Sequence, residues 1–249
     1  MRRPPSLVIG GALVALIVLA ALLAPWLAPD PNAIALDQRL LPPSALHWAG
    51  TDEVGRDLFV RILWGLRASL TAALAIVVIA SVAGTLIGSL SGFVGGLVDT
   101  VLMRLMDMAM ALPGLVVAMA LTAALGACLP NAVLALGLLG IPYYARVSRA
   151  EALALANRDF VRASAVMTLH IGAAILAVAA LSFIGLGAQP PASELGMLVG
   201  TGRRYILEQW WYSLFPGLVI VLTVLAFNLL GDGLRDRIDP RAGKRSLVG

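Results

Sequence analysis

Six long apolar runs, each bounded by charged, proline-rich or glycine-rich stretches, leave this chain one medium in which to fold, a lipid bilayer. They cover residues 7–23, 70–90, 98–125, 131–144, 165–184 and 214–230. Of 249 residues, 60% are hydrophobic and 13% charged, against about a quarter charged in a soluble domain. A single water-soluble core of 25.9 kDa cannot hide that excess, because much of a small domain's surface faces solvent. The expected fold is all-α, a polytopic membrane protein with about six transmembrane helices.

The first run follows Arg2 and Arg3 and exceeds the usual signal-peptide core, so it reads as a retained span. Residues 26–66 hold Pro42, Pro43, Asp52, Glu53, Arg56, Asp57 and Arg61 and lie outside the bilayer. The third run is interrupted at Pro113-Gly114, where a kink tolerated by neighbouring helices is expected. The fourth is the shortest. Lys and Arg counts set orientation: with the N-terminus in the cytoplasm, twelve of the 18 fall inside and six outside. Both termini are therefore expected in the cytoplasm.

The net charge of +4 does not point to nucleic acid, because the basic residues are spread over short segments with no recognition helix or aromatic-lined groove. The lone Cys128 excludes an intramolecular disulfide. Phosphate-binding loops, paired zinc histidines and GxSxG elbows are absent from the sequence. No catalytic residues, metal site or bound cofactor are expected.

Polar and small residues within the runs carry what function the sequence exposes. Gly84 and Gly88 share a helix side with Gly92 and Gly96; the first two read as a packing face and the last two as part of a turn. Arg104 and Asp107 are three apart and can pair on one face, as a structural contact or one that shifts during transport. His170 is the ionisable group deepest in a run, either functional or bonded across a helix interface.

Several blocks resemble the C-type inner-membrane permease of dipeptide, oligopeptide and nickel ABC importers. They are Gly50-Thr51-Asp52-Glu53-Val54-Gly55-Arg56-Asp57, Gly92-Phe93-Val94-Gly95-Gly96 with Asp99, and Met103-Arg104 with Asp107. Tyr144-Ala145-Arg146 with Arg149-Ala150-Glu151 follows, then the stretch from Leu181 through Gly187 to Pro191. Pro216-Gly217 and Phe227-Asn228-Leu229-Leu230-Gly231-Asp232-Gly233-Leu234-Arg235-Asp236, followed by Asp239-Pro240, complete the series. The resemblance implies a type I importer permease, one half of a pore. Its implied partners are a second homologous permease subunit, two cytoplasmic ATP-binding subunits that hold ATP-Mg, an extracytoplasmic solute-binding protein and the lipid bilayer. The implied cargo is a dipeptide, an oligopeptide or a similar small solute, with nickel or a metal chelate as the alternative.

The implied organisation is a cytoplasmic tail and first helix over 1–24, an extracytoplasmic segment over 25–66, a five-helix core over 67–232 and a basic cytoplasmic tail over 233–249. Gly50, Thr51, Asp52, Gly55, Arg56 and Asp57 fall on the extracytoplasmic motif; Asn228 and Asp232 join Arg104, Asp107 and His170 as structural or gating candidates. Arg149, Glu151, Arg158, Asp159, Phe160, Val161 and Ala163 fall on the segment that seats against the ATPase, near 145–164. That segment is short here. After Arg162-Ala163-Ser164 the chain passes directly into Val166-Met167-Thr168-Leu169-His170, and the family's following Gly and Leu-Pro portion is missing. An internal deletion is implied, with a chain that inserts but is weakly coupled, or a decayed permease serving as a non-transporting membrane scaffold.

Overall fold

The computed structural model describes residues 5–27, 30–154 and 160–238, with side chains for 6–27, 30–153 and 167–236. Eight α-helices and two short 3-10 turns account for nearly all of its regular structure. Helix α1 spans Pro5–Leu27, α2 Leu58–Val94, α3 Gly96–Met110, α4 Gly114–Leu125, α5 Leu129–Ala154, α6 Phe160–Phe183, α7 Leu195–Gly202 and α8 Trp211–Ile238.

Helix α2 is the central strut. At 1.5 Å per residue its 37 residues extend about 55 Å, well beyond the roughly 30 Å of bilayer hydrocarbon. It therefore carries structure on both sides of the apolar layer. Its start is fixed by Asp57, whose side chain accepts a hydrogen bond from Val60 N–H at 3.1 Å, satisfying a donor that the first turn leaves unpaired. It ends at Gly95, which has φ 65°, a left-handed conformation that glycine takes without steric penalty. The second apolar run thus lies inside a helix that begins twelve residues earlier, and Arg61 belongs to the helix rather than to the preceding segment.

One face of α2 packs along α5, α8 packs against α1 and α6, and α7 lies between α6 and α8. Near the start of α2, Leu58, Ile62 and Leu66 join Leu195, Leu198 and Tyr212 in one apolar cluster. Farther along, Ala73, Ile76, Val77 and Ala80 meet Tyr144, Ile175 and Val178 in a second. Alanines interleave with the larger side chains in this second contact and let the helices approach closely.

Length and hydropathy qualify three helical stretches to cross a membrane, Ser6–Leu27, Leu58–Val94 and Trp211–Asp236. A fourth exists if the pair α3 and α4 is one broken span. That pair departs from the kinked single helix the sequence implies, because its halves are bent by 86°. Pro113 lacks an N–H and disfavours helical geometry at Leu112, so α3 ends at Met110, capped by Ala111, and helix resumes at Gly114. Helix α6, Phe160–Phe183, has 24 residues, about 36 Å at 1.5 Å per residue. Helix α5 ends in the charged stretch with Arg146, Arg149 and Glu151.

Candidate functional site

At the N-terminal end of α2 the motif around Asp52 folds into a buried ionic knot. Asp52 is fully buried and Arg61 is 1% exposed. Asp52 Oδ1 accepts from the N–H groups of Val54 and Arg56, both at 2.9 Å. Its Oδ2 accepts from Arg56 Nε at 2.6 Å and Arg61 Nη1 at 2.5 Å. Burial pushes the Asp52 carboxyl up, but the Val54 N–H, the Arg56 side chain and N–H and the Arg61 guanidinium together hold it below the ordinary carboxylate range. Gly55, at φ 82°, lets the loop reverse so that these N–H groups converge on one carboxylate.

Arg61 carries the knot to a distant segment. Its Nε donates to Ser193 Oγ at 3.2 Å and its Nη2 to the Ala192 carbonyl at 3.1 Å. Next to it, Glu194 is fully buried, accepts from Ser69 Oγ at 2.8 Å, and caps α7 through Met197 N–H at 3.0 Å. Glu53 accepts a hydrogen bond from the Tyr212 hydroxyl at the start of α8. Thr51 donates to the Gln38 carbonyl, and Asp57 contacts His47 Nδ1 at 2.7 Å. A Cβ on Gly50 would strike the Leu41 carbonyl and the Trp211 ring. The motif is thus an internal clamp joining the 30–57 segment, α2, α7 and α8. Its carboxylates are engaged by hydrogen bonds and guanidinium groups, and no nucleophile and base are paired within it.

At the other end of α2, two ion pairs hold α3 to α5. Arg149 Nε and Nη2 grip both oxygens of Asp99 at 2.5 and 2.6 Å, and Ser91 Oγ donates to the same carboxylate. Arg146 Nη2 donates to Asp107 Oδ1 at 2.5 Å. Asp107 therefore pairs across helices with Arg146, not along α3 with Arg104 as the three-residue spacing implies. Helix α3 buries none of its side chains, so these charges supply much of its attachment.

Gly84 and Gly88 lie against α5: a Cβ at Gly84 would sit 2.5 Å from Tyr144 Cβ, and one at Gly88 would overlap the Ala145 carbonyl oxygen. Gly92 belongs to the same contact, 2.7 Å from Ala152 Cβ, rather than to the turn, which Gly95 and Gly96 make at positive φ. His170 packs among the rings of Tyr143 and Tyr144, with centroids 4.3 and 4.9 Å away. Asn228 and Asp232 are exposed on α8. Among the described residues no group of three or more His, Cys, Asp or Glu is arranged to hold a metal.

Arg158 and Asp159 lie outside the described residues, as do the side chains of Phe160, Val161 and Ala163, whose backbone is in the first turn of α6. Sequence reasoning missed Arg61, Ser69, Glu194 and Tyr212. The available signal was one glutamate and one arginine in the segments flanking apolar runs, where an unpaired charge is costly.

Comparison with known proteins bears on the whole chain. Residues 84–168 and 165–244 match the family described as "Binding-protein-dependent transport system inner membrane component", and residues 1–43 match the "N-terminal TM domain of oligopeptide transport permease C". The chain is 46% identical to the probable D,D-dipeptide transport system permease protein DdpC of Escherichia coli (strain K12), over 98% of this chain and 90% of the relative. It is 43% identical to the di/tripeptide transport system permease protein DppC of Pseudomonas aeruginosa (strain UCBPP-PA14), over 94% and 88%. The dipeptide transport system permease protein DppC of Escherichia coli (strain K12) is 42% identical, over 96% and 90%. The first of these alignments has 268 positions, whereas 98% of 249 residues is about 244, so about 24 positions of that relative have no counterpart here. The two matched pieces of the transport family meet at residues 165–168.

Proposed function

The chain belongs to the binding-protein-dependent transport system inner membrane components, as a permease subunit of an ABC importer, and on that premise we propose that its cargo is a dipeptide or oligopeptide. Similarity over 98% of the chain to a D,D-dipeptide permease carries this reading. Six spans are proposed, with α5 and α6 completing what the longer helices begin, both termini in the cytoplasm and the whole in the bacterial inner membrane. The twelve-to-six distribution of basic residues supports that orientation. Residues 25–66 then form the extracytoplasmic segment, 67–232 the core, and 1–24 and 233–249 begin and end on the cytoplasmic side.

The proposed assembly pairs this subunit with a second permease, two ATP-binding subunits that hold ATP-Mg and an extracytoplasmic solute-binding protein. In this arrangement the Asp52 knot holds the outer mouth together, while Arg149, Glu151 and residues 158–163 face the ATPase. Coexpression of the four components, purification with the binding protein and identification of its ligand test the reading. Peptide uptake into proteoliposomes with ATP is the expected result; failure to assemble with any ATPase, or a non-peptide ligand, overturns it.

A second reading is a membrane scaffold that assembles without transporting. The junction at 165–168 and the roughly two dozen missing positions favour it, since coupling needs contacts that differ between two global states. Stable assembly with no flux at saturating ATP and loaded binding protein is its signature.

A further inference from the structure

Below the Asp52 knot, on the flank of α2, lies a cavity of about 390 Å³ bounded by Pro31 and Asn32, by Trp64, Arg67 and Thr71 of α2, and by Ala192 and Ser193. Three separate chain segments build it, and two of them, α2 and the 192–193 stretch, are tied together by Arg61. Arg67 is exposed, and its guanidinium stands 5.6 Å from the Trp64 ring centroid. No carboxylate pairs with Arg67 among the described residues. The cavity thus offers a cation beside the Asn32 amide and the Ser193 hydroxyl, a donor set suited to an oxyanion, while the Thr71 hydroxyl is spent on the Arg67 and Ala68 carbonyls.

The same helix side continues from this polar end into apolar side chains. Arg67, Thr71, Leu74, Val78 and Val82 follow one another at three- and four-residue steps, and the last three are 55%, 49% and 56% exposed. From Thr71 to Val82 the stripe runs about 16 Å. Half of a roughly 30 Å hydrocarbon layer is about 15 Å. An anionic head above an apolar tail one leaflet long matches this surface; a peptide carboxylate would account for the cavity alone.

We propose that Arg67, Asn32 and Ser193, with Thr71 as part of the cavity wall, form a site for the phosphodiester headgroup of an anionic glycerophospholipid, with an acyl chain laid along Leu74, Val78 and Val82. The guanidinium donates to the phosphate oxygens, and Trp64 holds it at headgroup depth. Placement of the lipid in the outer leaflet rests on the topology proposed above; the headgroup contact does not.

The test uses the assembled importer in nanodiscs of phosphatidylglycerol and phosphatidylcholine, followed by a delipidating wash and native mass spectrometry. Wild type is expected to retain phosphatidylglycerol in preference to phosphatidylcholine. R67Q should bind it about tenfold more weakly, the effect of losing a charge-assisted hydrogen bond. T71L, which fills the cavity and keeps the arginine, should also lower retention, so the outcome does not depend on R67Q assembling. Equal retention by wild type and both variants overturns the proposal. So does quantitative cross-linking of Val78→Cys to the second permease subunit, or a raised KM for peptide uptake in R67Q with lipid retention unchanged. Because retention is read without transport, the site can fail while the peptide-import reading stands, and the reverse.

Discussion

Asp52 shows how one carboxylate holds several segments together. It is fully buried, and two guanidinium groups and two backbone N–H groups converge on it. Changing it to asparagine leaves Arg56 and Arg61 without their central counter-charge; breaking a buried pair on one side costs about 3–5 kcal/mol. Asp52→Asn should therefore lower the Tm of the purified assembly by several degrees at neutral pH. The pH dependence has a definite sign. The folded-state pKa is lowered, so the stabilisation is complete above the ordinary aspartate value of about 3.9 and is lost as pH falls from there through the lowered folded-state value. Wild-type Tm should drop across that acid range, and the Asp52→Asn variant should show a flatter acid limb; parallel limbs would place the titrating group elsewhere. The motif from Gly50 to Asp57 is visible in the sequence as a resemblance, but its internal role is not. Arg61 sits only four residues beyond Asp57, yet its partners at Ala192 and Ser193 are more than 130 residues away, and local spacing carries no trace of them.

Helix packing, the next scale, divides the molecule into contacts made by absence of side chain and contacts made by charge. Gly84 and Gly88 let α2 settle against the α5 backbone, so Gly88→Val should force the helices apart. Overpacking of this kind typically costs about 1–3 kcal/mol. A fall in Tm together with lower yield of assembled protein is the expected outcome, whereas Gly114→Ala, with open space around its Cβ, should leave both unchanged. Equal behaviour of the two variants would remove the packing argument. Helix α3 is held otherwise, by Asp99 and Asp107 on Arg149 and Arg146. Asp99→Arg should loosen it and raise proteolysis near the Pro113 break, and the charge exchange Asp99→Arg with Arg149→Asp should restore protection. Restoration absent, the bidentate pair is not what anchors α3. Four-residue glycine spacing is legible because a helix repeats; the pairing of Asp107 is not, because Arg146 lies 39 residues away and competes with the nearer Arg104. The break at Pro113 is legible in position but not in its 86° angle, which depends on what each half packs against.

For the whole molecule, six apolar runs translate into helices of unequal reach. Three stretches meet the length and hydropathy of a span alone, the third run is split, and the fourth and fifth runs lie in α5 and α6: α5 is long enough but carries Arg146, Arg149 and Glu151, and α6 has 24 residues. At 1.5 Å per residue α6 reaches about 36 Å, enough for a roughly 30 Å layer. Apolar periodicity reveals helices well because the bilayer forces it; it cannot report a missing stretch, which only comparison with longer relatives exposes. The proposed deletion places the roughly two dozen absent positions at the junction of the two family matches, residues 165–168. Insertion of the corresponding residues of the 46% identical relative between Ala165 and Thr168 should therefore restore contact with the ATPase. ATP hydrolysis by the reconstituted assembly should respond weakly to loaded binding protein in the natural chain and severalfold more strongly after the insertion. Glycosylation or cysteine-accessibility mapping should meanwhile leave the orientation of α8 unchanged, since the proposed count of six spans stays even. If the natural chain already shows full stimulation, the α5 and α6 termini transmit the ATPase motion without the missing stretch, and the weak-coupling reading fails while membership of the permease family stands.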